Sequence, residues 1–123
     1  MSEPLIAETF ARAVASKNLH RLRDLVDVNL SFVGMTPSRV IMGDGVDDLI
    51  DTLGEWFDDN DAIEAIEFLD SDVWADRQRA GYRLRVKNPD GVYLVDQTAY
   101  LSLRDGRINW LRMMCAGYRP VED

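Results

Sequence analysis

From Tyr82 to Ile108 the chain reads YRLRVKNPDGVYLVDQTAYLSLRDGRI. Tyr82, Leu84 and Val86 alternate with Arg83, Arg85 and Lys87, the period of a strand with one covered face. Asn88-Pro89-Asp90-Gly91 has the composition of a tight reversal, since proline presets φ and glycine admits positive φ. Tyr93, Val95, Ala99, Leu101 and Leu103 then share one face of a second strand, and Arg104-Asp105-Gly106-Arg107 turns the chain again. A last strand runs from Ile108 to Tyr118. Three long strands joined by tight turns predict an antiparallel meander.

Upstream of this block the pattern changes. Ile63, Ala65 and Glu67 alternate with Glu64, Ile66 and Phe68, a strand without a clean inner face, and Asp70-Ser71-Asp72 reads as a turn. Val46, Leu49, Ile50, Leu53 and Phe57 have helical spacing, with Asp47 and Asp48 in the first turn where the helix dipole favours them. The polar loop Asp58-Asp59-Asn60-Asp61 closes that helix. Val28 to Val33 and Arg39 to Met42 read as two short strands broken by Gly34 and Pro37. Glu3-Pro4 can start a first helix carrying Leu5, Ile6, Phe10, Ala13 and Val14, and Leu19, Leu22, Leu25 and Val26 mark a second. Helices first and sheet last predict an α+β fold, one domain over residues 1–123.

Composition narrows the function classes. At 123 residues, 46% hydrophobic and 29% charged, the chain can bury a core without disulfides. One cysteine, Cys115, excludes an internal disulfide framework and a cysteine-cluster zinc site. A net charge of −8 repels phosphate, so neither nucleic acid nor an anionic membrane is an expected partner. No apolar run reaches the roughly 20 residues that span a bilayer, and Met1-Ser2-Glu3-Pro4 begins no signal peptide. A cytoplasmic location is therefore expected. The only histidine, His20, lies on the polar side of its helix, and Asp58 to Asp61 lack calcium-loop spacing, so no metal or cofactor is expected.

The order helix, helix, short hairpin, helix, then curved antiparallel strands resembles the NTF2-like superfamily, in particular its SnoaL-like branch. Local wording agrees: Asn18-Leu19-His20-Arg21-Leu22 at the helix break, Gly45-Val46-Asp47-Asp48-Leu49-Ile50 at the entry to the third helix, Leu103-Arg104-Asp105-Gly106-Arg107-Ile108 at the last turn, and Cys115-Ala116-Gly117-Tyr118-Arg119-Pro120 at the end. The resemblance implies a cone, with three N-terminal helices closing a pocket over a curved, mostly antiparallel sheet. It also implies a homodimer through the outer face. It does not carry a function, because this fold hosts many. The ketosteroid isomerase branch needs a phenol, a carboxylate base and a protonated acid. Those positions fall on Phe10, Gly34 (or Phe32) and Ala99, none of which can move a proton. The acid of the polyketide cyclase branch falls on Met113, and the arginine flanked by carboxylates of the epoxide hydrolases has no counterpart.

Strand parity gives the expected site. Phe10, Trp56, Tyr82, Tyr93, Gln97, Asn109 and Met113 are candidate pocket residues, an apolar cup suited to a small apolar molecule held by one or two hydrogen bonds. Each also fits a plain packing role. On the opposite face Arg83, Arg85, Asp96, Tyr100, Trp110 and Arg112 are the residue types of an interface, and Asp96 is expected to pair with an arginine. Three functions remain: a binder without catalytic residues, an isomerase-like or cyclase-like enzyme using Asp76, Tyr82 and Gln97, and a protein-interaction module with a collapsed cavity. An open cavity holding Asp76 favours the enzyme, an open cavity without a carboxylate the binder, and a filled one behind an exposed apolar face the module. A bulge near Gly81 would decide which way Asp76 faces.

Overall fold

The computed structural model describes residues 5–121. Two helices, α1 (Ile6–Ala15) and α2 (Leu19–Leu25), precede a hairpin of β1 (Val26–Thr36) and β2 (Arg39–Asp44). Helix α3 (Gly45–Trp56) follows, then four strands: β3 (Ala62–Trp74), β4 (Arg77–Asn88), β5 (Gly91–Arg104) and β6 (Arg107–Pro120). The expected start of the first helix at Glu3-Pro4 lies outside the described residues. The sheet order is β2-β1-β6-β5-β4-β3. All neighbours are antiparallel except β1 and β6, which run parallel.

Three elements, α2, β1 and β3, differ from the sequence reading. β1 starts at Val26, which the helical spacing assigns to the second helix, and it runs unbroken through Gly34 to Thr36. Asp70-Ser71-Asp72 is not a turn but lies inside the later part of β3, which runs on to Trp74 opposite Arg77. Ladder pairing overrides turn composition here, because Arg79 bonds both acids, at 2.9 Å to Asp70 and 3.1 Å to Asp72. The reversal falls instead at Ala75 and Asp76, with Ala75 at φ 55°. Of the two alternatives at Gly81, β4 shows the one without a bulge: β4 and β5 stay in register from Arg77↔Ser102 to Asn88↔Gly91.

Alternation sorts the sheet into two faces. Phe32 on β1, Tyr82, Leu84 and Val86 on β4, Val95, Gln97, Ala99 and Leu101 on β5, and Leu111, Met113 and Cys115 on β6 are buried under the helices. Phe10 and Val14 of α1, Leu22 of α2 and Leu49 and Leu53 of α3 complete that core. A buried side chain of this size contributes about 1.5–3 kcal/mol. Helix α1 is tied to the sheet by the Ala7 amide, which donates to Gln78 Oε1 at 2.9 Å.

Candidate functional site

The concave side of the sheet is filled. Phe10, Tyr82, Gln97 and Met113 do meet there, each at most 2% exposed, but as close-packed core and not as the wall of an open cup. One cause is Gly34 on β1. A Cβ at that position would lie 3.0 Å from the Phe32 ring and 3.0 Å from the tip of the Trp56 indole, so the glycine lets both rings lie against the strand. The positions that carry base, phenol and acid in the isomerases are thus packed apolar ground.

The two polar members of this core form a pair. Tyr82 donates its hydroxyl to Gln97 Oε1 at 2.7 Å, which leaves Gln97 Nε2 buried without a partner. Burial pushes the Tyr82 phenol far above its usual range, with nearby Cys115 adding to the shift. Asp76 does not join them. It is exposed in the β3–β4 turn, six residues and roughly 20 Å of strand from Tyr82. Thr52 and Gln97 are the buried polar residues among those described, so no carboxylate reaches this interior. That removes the geometric basis of the Asp76–Tyr82–Gln97 enzyme.

The remaining expected pocket residues sit at the rim. Asn109 is the extra residue of a register shift between Ser102 and Leu103, and Ile108 takes the inward place instead. Its Oδ1 is buried without a partner. Tyr93 packs edge-on to Tyr118 at 5.5 Å, and Phe57 lies 6.1 Å from the same ring. The Tyr118 hydroxyl donates to the Trp56 carbonyl at 2.6 Å and meets Asp61 Oδ2 at 2.9 Å. Burial, then the Asp61 carboxylate, raises that phenol strongly. Trp56 and Tyr118 thus line a shallow cleft of about 450 Å³ with Asp58, Asp61, Asn88 and Asp90.

A larger cleft opens where sequence reasoning did not place one, between α1, α2 and the end of α3. Its volume is about 730 Å³, within the usual range for small-molecule sites. Val14, Leu19, Leu22, Ile50, Leu53 and Phe57 form the floor. Asp51, Glu55, Asp58, Asp59 and Lys17 form the rim, and Gly54 leaves a gap in one wall. The one trace of it in the sequence is Gly54, a glycine inside a helix.

The outer face is ordered in rows. One row reads Asp72, Arg79, Tyr100, Arg112, Val33, Met42 across the sheet, and the next reads Asp70, Gly81, Thr98, Met114, Met35, Val40. Its β3–β4 side is satisfied within the chain: Arg83 grips Asp96 with bonds of 2.7 and 3.1 Å, and Arg85 bonds Glu67 at 3.0 Å. Arg112 donates to the Ser31 carbonyl, and the guanidinium carbons of Arg112 and Arg77 lie 4.5 and 4.0 Å from the centre of the Trp110 ring. Toward β2 the face is apolar and bare, with Val40, Met42, Met35, Met114 and Tyr100 exposed, Met42 at 79%. Sequence parity found Trp110, Arg112 and Tyr100 on this face but missed the methionine patch on β1 and β2. No helix among the described residues is long and apolar enough to cross a membrane.

No family model matches this sequence, and no curated protein matches it. Solved structures do match. A presumed isomerase from Rhodopseudomonas palustris superposes with a TM-score of 0.75 at 16% identity, covering 95% of this chain and 93% of that one. A hypothetical protein with a ketosteroid isomerase-like fold from Catenulispora acidiphila, solved in complex with trimethylamine, gives 0.66 at 14% identity, over 91% and 85%. An NTF2-like protein from Burkholderia xenovorans gives 0.64 at 12%, over 89% and 86%. At such identities the likeness is one of backbone, and it agrees with the element order: three helices on a curved, mostly antiparallel six-stranded sheet, the α+β NTF2-like cone fold.

Proposed function

We propose that this chain binds a small apolar molecule without catalysing a reaction, and that the ligand sits in the cleft between α1, α2 and α3. The observation that carries this reading is the 730 Å³ cleft with its floor of six apolar side chains. The filled interior and the replacement of the isomerase positions by Phe10, Gly34 and Ala99 argue against proton-transfer chemistry. A fold neighbour solved with a small molecule bound is in keeping with ligand binding. Native mass spectrometry of protein purified from its own host tests it. We expect a bound small molecule in the wild type that is absent from Gly54→Phe, whose ring would occupy the cleft. A wild type without bound mass overturns the reading.

A second reading, self-association through the outer face, has its own support. The exposed run of Val40, Met42, Met35, Met114 and Tyr100 is a contiguous apolar surface backed by a packed core. Trp110, Arg112, Arg83, Arg85 and Asp96 would form its polar border. This is the arrangement expected of an interaction module, with a second copy of the chain as the partner. Light scattering should give about 28 kDa, twice the 14.0 kDa chain, and the double variant Met42→Asp/Met114→Asp should return it to the monomer mass. A wild-type monomer at micromolar concentration refutes it.

A further inference from the structure

The inter-helix cleft has a charge pattern that its apolar floor does not require. Asp51, Asp58 and Asp59 have no ion-pair partner among the described residues, and Glu55 has only a loose 3.8 Å contact with exposed Arg39. The rim also carries one ammonium, Lys17, whose Nζ donates to the Asp58 carbonyl at 2.7 Å and to that of Asp61; its charge offsets one of the four rim carboxylates and leaves the rim net negative. The C-terminus of α3 also lies here, with no basic residue in its last turn. That is the negative end of the helix dipole, where carboxylates are unfavourable and cations are favoured. Glu55, Asp58 and Asp59 therefore stand where they cost stability.

Gly54 points the same way. It lies inside α3, where glycine costs about 1 kcal/mol relative to alanine. Neither close packing nor backbone conformation calls for it: a Cβ there would meet nothing within 4 Å, and its φ is not positive. What the missing side chain does is keep one wall of the cleft open. Two locally unfavourable choices thus coincide at one apolar groove, and such conflicts between local preference and stability gather at functional sites.

We infer that the occupant of the cleft is a small amphiphilic cation, an alkyl or aryl ammonium whose apolar body lies on Leu22, Leu53 and Phe57 and whose charge faces Asp51, Asp58 and Asp59. The inference rests on the ligand-binding reading above and narrows it: the ligand keeps the apolar body proposed there and carries one positive charge. The volume suits a single small molecule. The rim offers an ammonium several exposed carboxylates beside an apolar floor, so the charge preference is a sum of solvent-screened attractions.

The test is a titration of the full chain followed at the Gly54 amide by NMR, with three probes of equal chain length: octyltrimethylammonium, 1-octanol and octanoate. The cation should saturate at a concentration roughly tenfold or more below that of the alcohol, and octanoate should not bind. The triple variant Asp51→Asn/Asp58→Asn/Asp59→Asn should bring the cation to the level of the alcohol, as should 1 M salt. Equal binding of cation and alcohol by the wild type overturns the charge preference while leaving an apolar ligand site. No response of Gly54 to any probe overturns the site and the ligand-binding reading together. A fall in light-scattering mass on Gly54→Phe would mean that a second copy fills the groove, which also overturns the inference.

Discussion

Tyr82 and Gln97 are a two-residue polar network inside an apolar core, and its balance is uneven. The phenol satisfies the amide oxygen at 2.7 Å, while the amide nitrogen has nothing. Tyr82→Phe leaves both ends of the buried amide unpaired and should destabilise the protein by about 1–3 kcal/mol. Tyr82→Phe/Gln97→Leu removes the polar atoms altogether and should recover most of that loss. Urea unfolding of the two variants checks both. Asp96 makes a different prediction. Hydrogen bonds from Arg83 hold its carboxyl below the usual 3.8, so the folded state binds that proton less readily than the unfolded chain. The stabilisation is present above the usual carboxylate range and disappears as pH falls through the lowered value. Both side chains are about 40% exposed, which keeps the effect small. Wild type should therefore exceed Asp96→Asn in urea midpoint at pH 7 and lose that margin in acid; a margin that persists when Asp96 is protonated would contradict this origin.

Among the elements, the meander from Tyr82 onward was legible because each strand carries a period-two pattern between glycine-containing turns. Strand β3 was not. It sits at the sheet edge with one neighbour, so most of its residues are exposed and neither face shows apolar alternation. Asp70-Ser71-Asp72 then looks like a turn until Arg79 is seen opposite. The same edge puts Asp76, whose facing the sequence left open, in the turn. The filling of the cup escaped for another reason: parity says which way Phe32, Gly34 and Met113 face, but not that the Trp56 ring reaches β1 to lie over Gly34. Helix α3 yields a prediction at this scale. Gly54→Ala adds helix propensity where there is room, and should raise stability by about 1 kcal/mol. Thermal unfolding would show this as a rise of a few degrees, and a drop would mean that the site is packed after all.

At the level of the whole chain, the fold was legible from the order of its elements, while the inter-helix cleft was not, because it forms where α1 and α2 face the end of α3, roughly thirty residues further along the chain. The same limit applies to the outer face, whose apolar corner joins β2, β1, β6 and β5 from opposite ends of the chain. The pairing of β1 with β6 has a consequence for biosynthesis. The first hairpin and the β3–β5 meander share no edge until the final strand slides between them. A ribosome that has released everything up to Leu103 has therefore produced two half-sheets with unpaired flanks, the condition that invites wrong pairing between nascent chains. Chains truncated before Arg107 should accumulate in inclusion bodies rather than as a smaller folded protein, and supplying Arg107–Pro120 as a separate peptide should rescue part of the soluble yield.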